Sequence, residues 1–314
     1  MTVEYPETTE AAIKADNLRK TYGATKAVDG ISFAVRTGEI FGMLGPNGAG
    51  KTTTIEMVEG LRKADAGAIE VLGLRQPHDA RTIKSRIGIQ LQNTALYPRL
   101  SVTEVIDLFR TFFAGRTTLP TDELIRLVDL EEKRGTRSKD LSGGQRQRLS
   151  VALALINDPD IVFLDEPTTG MDPQARRQIW DVIQDLRGRG KTILMTTHYM
   201  EEAQVLCDRV AIVDHGHILE MDSPTALIRR HFQQVAIEFQ DGRSDSNAYK
   251  ALPGVTTATS EGGRVTLYTS DAPRTMAALL DRETADGGAF RDVNVRGATL
   301  EDVFLKLTGR ALRD

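Results

Sequence analysis

The sequence predicts an α/β fold built on a mostly parallel sheet, followed by a small α+β domain. Three observations carry that expectation. Two continuous apolar runs, Ile161 to Leu164 and Thr192 to Met195, read as parallel strands buried on both faces, with a helical stretch between them. A glycine-rich segment, Gly45 to Thr52, joins an apolar strand run (Ile40, Phe41, Met43, Leu44) to a helical pattern (Ile55, Val58, Leu61). Beyond about residue 232 the order of elements changes to βαββαβ, the pattern of a split-βαβ domain.

Size and composition agree. The 314 residues leave room for two domains, and 40 % hydrophobic with 27 % charged residues is the balance of a globular chain with a sizeable core. A net charge of −4 gives no electrostatic case for a nucleic-acid partner, and none is expected. Cys207 is the only cysteine, which excludes an intrachain disulfide and a cysteine zinc cluster; a cytosolic setting fits best, with Cys207 a small buried apolar residue. No stretch approaches 18 consecutive apolar residues, and the acidic start (Glu4, Glu7, Glu10) lacks the apolar region of a signal peptide. Work at a membrane would therefore need another chain to supply the membrane part.

In chain order, residues 1–11 read as a disordered tail. Short β-like runs with turn signals, an antiparallel region, fill Ala12 to Val35. After the glycine loop come two strands, Ala68 to Leu72 and Ile87 to Leu91, with a polar, basic connection between them. Ser101-Val-Thr-Glu104 is a capping box opening a helix with Val105, Leu108, Phe109 and Phe112 on its apolar face. A further helix opens near Pro120, so residues from about 100 to 140 read as a helical insertion. Asp140-Leu-Ser-Gly-Gly-Gln145 leads into a long helix to Asn157. Asp172-Pro173 supplies an N-cap and a proline at the first helical position of a helix ending around Gly188 to Gly190. Ser223-Pro224 starts the last helix of the first domain (12–232).

In the remainder (233–314), strands fall at Gln234 to Phe239, Val255 to Ser260, Val265 to Thr269 and Phe290 to Val295, with helices near Ser244 to Leu252 and Pro273 to Glu283. Thr299 caps a final helix with Leu300, Val303, Phe304 and Leu307 on one face.

The chemistry gathers at strand ends. Gly45-Pro46-Asn47-Gly48-Ala49-Gly50-Lys51-Thr52 fits G-x-x-x-x-G-K-[ST]. Its glycines let successive N–H groups cradle phosphate oxygens, Lys51 can reach the β- and γ-phosphates, and the Thr52 hydroxyl can coordinate Mg²⁺. Asp165-Glu166 ends a buried strand: Asp165 stands beside the metal, and Glu166 can accept a proton from, or orient, the attacking water. His198 ends the neighbouring strand and can donate to a γ-phosphate oxygen, while the Gln92 amide can hold both a water and a metal contact. In Leu141-Ser142-Gly143-Gly144-Gln145, a hydroxyl and two glycines at a helix start form a second anion site, unless this is merely a serine-capped helix with a glycine hinge. Two such sites about 90 residues apart are explained if each completes the site of a second copy.

This order of motifs resembles the ATP-binding-cassette (ABC) transporter ATPases over roughly residues 12–231. The resemblance makes Tyr22 the adenine-stacking residue, GPNGAGKTT (45–53, ending in Thr53) Walker A, Gln92 the Q-loop, LSGGQ the signature and IVFLDE (161–166) Walker B. Gly170-Met171-Asp172 matches the D-loop and His198 the switch. The tail, notably TLEDVFLKLTGR (299–310), is similar to the daunorubicin/doxorubicin-resistance type of exporter ATPase. Departures are small: Asn93-Thr94 follows Gln92 where the family often has an acidic residue or proline, and Met171 replaces the usual leucine.

The resemblance implies two copies sandwiching two ATP molecules, each between Walker A of one chain and Ser142, Gly143, Gly144, Gln145 and Asp172 of the other. Mg²⁺ is then held by Thr52, Gln92 and Asp165, with Glu166, Lys51, Gln92 and His198 as the catalytic set. It also implies a separate integral-membrane permease docked around residues 90–115, on the cytoplasmic face of the membrane. The function expected is the ATPase subunit of a multisubunit exporter of hydrophobic, drug-like or lipid-like compounds, with a regulatory or assembly role for the tail. The alternative is a soluble ABC ATPase. A translation-factor type would carry two cassettes, and a DNA-repair type would carry a coiled coil or zinc insertion; the sequence shows neither.

Overall fold

The computed structural model describes residues 11–91, 96–232, 235–240, 246–261, 263–286 and 291–309. Two compact units divide the chain between Pro224 and Thr225.

The first unit opens with β1 (Ala11–Tyr22) and β2 (Thr25–Arg36), a twelve-residue antiparallel pair that turns at Gly23. Ala11 is thus already in a strand, opposite Arg36, and not part of a tail; the ladder continues that far because Ile13, opposite Val35, is fully buried. β3 (Ile40–Leu44) is buried throughout and runs into the glycine loop and α1 (Lys51–Glu59). α1 stops sooner than its apolar pattern suggests. Gly60 adopts φ +73° and closes the helix, so Leu61 lies beyond it and is half exposed. β4 (Ala66–Val71) and the short β5 (Leu74–Arg75) complete a four-stranded antiparallel sheet, ordered β2-β1-β4-β5.

The polar connection that follows holds a helix, α2 (Ala80–Arg86), before β6 (Ile87–Gln90). Only Ile83 of α2 is buried, too little for an apolar periodicity to show in the sequence. α3 (Val102–Thr111) has the capping box predicted for it, Ser101 Oγ accepting from Glu104 N. It buries Val102, Val105 and Ile106, whereas Phe112 falls past its end and is 69 % exposed. α4 (Thr121–Leu127) and two single 3₁₀ turns lead to α5 (Gly143–Ala154).

β7 (Ile161–Asp165), α6 (Pro173–Gly188), β8 (Thr192–Thr197), α7 (Met200–Leu206), β9 (Arg209–Asp214) and β10 (His217–Asp222) finish the unit. Its six-stranded sheet has the order β10-β9-β3-β8-β7-β6, parallel from β9 to β6 with β10 antiparallel at the edge. The central strands β3, β7 and β8 have no exposed residue, which is why they read as unbroken apolar runs. Their carboxyl ends are where an open α/β sheet offers a ligand site.

The second unit begins at Thr225, earlier than the expected position 232. α8 (Pro224–His231) belongs with it: Lys306 Nζ donates to His231 O at 2.8 Å and lies 5.1 Å from the centre of the Phe232 ring. β11 (Val235–Gln240), β12 (Val255–Glu261), β13 (Arg264–Thr269) and β14 (Arg291–Gly297) form an antiparallel sheet ordered β12-β13-β11-β14, as a split-βαβ domain requires. α9 (Ala272–Asp286) and α10 (Leu300–Thr308) take their expected places. Of the helix expected near residues 244–252, the described part holds only a 3₁₀ turn, Ser246–Tyr249; residues 244 and 245 lie outside the described residues. The expected strand starts Gln234 and Phe290 lie outside the described residues.

Candidate functional site

The site assembles where β3, β7 and β8 end. The loop after β3 needs its glycines for space as well as conformation. A Cβ on Gly45 would stand 2.1 Å from Val213 O, and one on Gly50 (φ +103°) would stand 2.2 Å from Ala27 O. Gly50 is also the N-cap of α1, where no side chain takes up the N–H groups of the first turn. Those donors and the helix dipole make the loop from Gly45 through Pro46, Asn47, Gly48, Ala49 and Gly50 to Thr52 and Thr53 a cradle for an anion.

Lys51 is buried, and its Nζ donates to Gly45 O at 2.7 Å and Pro46 O at 3.0 Å, folded back over the cradle. The same ammonium lies 3.4 Å from Glu166 Oε1. Burial pushes the Lys51 pKa down, against the pull of Glu166 and Asp165.

Asp165 Oδ1 accepts from Thr52 Oγ1 at 3.2 Å and from Thr196 Oγ1 at 2.5 Å. Burial raises its pKa, and the charge of Glu166 adds to that. A hydroxyl and a carboxylate side by side at the edge of an anion cradle are hard oxygen donors, the set that suits Mg²⁺. Glu166 has φ +47°, a left-handed conformation unusual for a side chain of this size. Its N–H donates to Thr196 Oγ1 at 3.0 Å, which helps to hold it there. Glu166 Oε2 accepts from Thr169 Oγ1 at 3.1 Å and stands 3.3 Å from His198 Nδ1. Burial pushes the Glu166 carboxyl up, but the Lys51 ammonium, His198 and the Thr169 hydroxyl outweigh it and hold the group below its ordinary value. The Glu166 carboxyl is therefore ionised and can accept a proton.

The structure therefore brings Lys51, Thr52, Asp165, Glu166 and His198 into one cluster. Gln92 lies outside the described residues. Tyr22, at the end of β1, keeps a ring 42 % exposed between Lys20 and Arg62, whose cationic groups lie 5.7 and 5.4 Å from its centre. Ser142 caps α5, accepting from Gln145 N at 3.2 Å, while Gln145 Oε1 accepts in return from Ser142 N at 2.9 Å. Gly143 and Gly144 open the helix; a Cβ on Gly144 would stand 2.9 Å from Ala175 Cβ, so this glycine is needed for α5 to approach α6. Asp172 Oδ1 caps α6, accepting from Gln174 N at 3.0 Å and Ala175 N at 2.9 Å. No hydrogen bond or ion pair among the described residues joins these helix starts to the glycine loop of the same chain.

Sequence reasoning passed over Thr196, whose hydroxyl meets both acidic residues of the β7 end, and Thr169. Thr196 lies just past the apolar run Thr192 to Met195, at a strand end where only His198 was given a role. Its one signal was the pair of threonines just before His198, at a strand end where polar side chains turn toward the ligand.

A phosphate cradle after the first parallel strand, completed by carboxylates after a second, defines a P-loop nucleotide-hydrolysing domain. Comparison with known proteins narrows this class. Residues 28–169 match the family model described as ABC transporter, and residues 225–308 match that of the ATP-binding protein DrrA1-3-like C-terminal domain. The chain is 42 % identical over 308 residues to the Nod factor export ATP-binding protein I of Paraburkholderia xenovorans (strain LB400), covering 97 % of this chain and 99 % of that one. It is 40 % identical to the protein of the same name from Rhizobium meliloti (strain 1021), covering 96 % and 90 %.

Among solved structures, an ATP-binding subunit of an ABC transporter superposes with a TM-score of 0.62 at 26 % identity, covering 70 % of this chain and 93 % of that one. The dimeric post-hydrolysis state of the cassette MJ0796, bound to ADP and Pi, gives 0.61 at 25 % identity, covering 67 % and 98 %. The chain belongs to the ABC transporter family. It is an ATP-binding, ATP-hydrolysing subunit of a transporter, with a C-terminal domain of the DrrA type. The soluble, non-transport alternatives gain no support from these relatives. No helix among the described residues is long and apolar enough to cross a membrane.

Proposed function

We propose that this subunit powers export of a hydrophobic, drug-like or lipid-like compound by hydrolysing Mg-ATP between two copies of itself. The observation that carries the reading is the convergence of Lys51 and His198 on the Glu166 carboxylate beside the Thr52–Asp165 pair. Thr52, Asp165 and Gln92 would hold Mg²⁺, which when bound neutralises phosphate charge. Lys51 leaves the Gly45 and Pro46 carbonyls for the phosphates, and the N–H groups of Gly48 to Thr53 bind their oxygens. Glu166 takes the proton of the attacking water, and His198 donates to the γ-phosphate. Tyr22 stacks on the base. Ser142, Gly143, Gly144, Gln145 and Asp172 act on the nucleotide held by the other copy; that no hydrogen bond or ion pair among the described residues joins them to the glycine loop of their own chain supports that division.

A separate permease would dock on the aromatic surface that follows β6. There Tyr97, Phe109 and Phe112 stack edge to face, with Tyr97 and Phe112 at least half exposed. Through it the subunit is held at the cytoplasmic face of the membrane. Export as the direction, and the class of cargo, are supported by full-length similarity to proteins named for Nod factor export. The C-terminal unit, without a phosphate loop, regulates the cassette or its assembly. Glu166→Gln is the test. The amide occupies the same space but cannot take the proton, so turnover falls by about 10²–10⁴-fold while ATP affinity is kept. Hydrolysis within a few-fold of wild type removes Glu166 as the base.

A further inference from the structure

One buried carboxyl stands next to this site and has no part in the scheme above. Glu202, in the first turn of α7, has no exposed surface. Its Oε1 accepts from Thr168 Oγ1 at 2.8 Å and from Trp180 Nε1 at 3.1 Å, while its Oε2 is buried without a hydrogen-bond partner. Two donors thus reach it, from the turn after β7 and the middle of α6. Desolvating a carboxyl is costly unless donors surround it, and burial pushes the Glu202 pKa up. Capping α7 does not account for this expense, since the exposed Glu201 beside it already places a negative charge at the helix start.

Its place in the chain is what gives Glu202 its reach. α7 follows directly on His198 and Tyr199, and Ala203 N donates to Tyr199 O at 3.2 Å. Thr168 precedes Thr169, which holds Glu166 through Oγ1, and Thr169 N also donates to Glu166 O at 3.3 Å. The left-handed backbone of Glu166 persists only where its surroundings hold it, so the turn that presents it needs an anchor. We propose that Glu202 is a positioning residue for hydrolysis: by bonding Thr168 from the helix that follows His198, it sets the turn bearing Glu166 against the segment bearing His198. It touches neither nucleotide nor water. The inference rests on Glu166 and His198 acting as described above, and their reading is tested separately by Glu166→Gln.

A shift of about 1 Å at a reacting group costs on the order of 10²-fold in rate. Glu202→Ala in the full-length chain is therefore expected to lower kcat by about 10- to 100-fold, with KM for ATP within about three-fold of wild type. Glu202→Gln keeps one acceptor oxygen at the same reach and should restore most of that loss. Thr168→Val removes one hydroxyl of the network, and combining it with Glu202→Ala should cost no more than Glu202→Ala alone, because both break the same connection. Where Glu202→Ala does not fold, Thr168→Val and Glu202→Gln carry the test: the first must lower kcat at constant KM, and the second must not. The proposal is overturned by a folded Glu202→Ala with wild-type kcat, by additive losses in the double variant, or by a KM that rises in step with the fall in kcat.

Discussion

Glu59 shows how far a single side chain can be displaced from its usual chemistry. It is the last residue of α1, 1 % exposed, with a carboxyl oxygen, Oε2, that has no hydrogen-bond partner. Burial, with the charges of Asp165 and Glu56 added, pushes its pKa from an ordinary 4.5 to about 8. The folded chain therefore holds a proton that the unfolded chain has released between these two values. Because the folded state binds more protons, stability falls as pH rises through that window. The distance between the two values sets an upper bound of about 5 kcal/mol on the loss. Glu59→Gln keeps the shape and removes the titration. The variant should match wild type in melting temperature near pH 4.5 and exceed it increasingly toward pH 8. Parallel melting curves of the two chains across that range would refute the buried-acid account.

Two helices of the first unit start on the same device and allow its energetics to be separated from function. Ser101 caps α3 and Ser142 caps α5, each in a capping box with the residue three positions on. Replacing either serine by alanine removes one cap and should cost about 1 kcal/mol, measurable as a fall of a few degrees in melting temperature. Their effects on turnover should differ. Ser101→Ala should leave ATP hydrolysis near wild type, whereas Ser142→Ala should lower it as well if, as proposed, that hydroxyl also serves the nucleotide of the other copy. Equal turnover in the two variants would reduce Ser142 to a helix cap.

For the molecule as a whole, the proposed sharing of each nucleotide between two copies predicts that association depends on nucleotide. The chain should be largely monomeric without ATP, and Glu166→Gln with Mg-ATP should sediment as a dimer. Adding Ser142→Arg should abolish that dimer, because on the proposed arrangement the long side chain would clash in the γ-phosphate site of the other copy. A monomer under every condition would leave the signature helix without its proposed partner. A dimer already complete without nucleotide would instead direct attention to the C-terminal unit.

The parts of this protein legible in the sequence are those whose physics is local. The phosphate cradle needs glycine at set positions because backbone must pass within contact of backbone, as Gly45 does at Val213. The strands β3, β7 and β8 needed no tertiary knowledge, since a strand covered on both faces has only apolar choices. The capping box at Ser101 was equally plain, being a bond between residues three apart; the matching box at Ser142 was hidden behind its reading as an anion site. What the sequence could not express depends on contacts between distant residues. α2, with one buried side chain, has too little periodicity to be seen. The division at residue 224 was settled by what α8 touches. Thr196 and Glu202 carry no sequence signal of their own, and their parts emerge when β8 and α7 are laid beside β7. Only then do hydroxyls and carboxyls some 30 residues apart come within bonding distance, because the sheet order places β8 between β3 and β7 and so brings His198, Lys51 and Glu166 to one point.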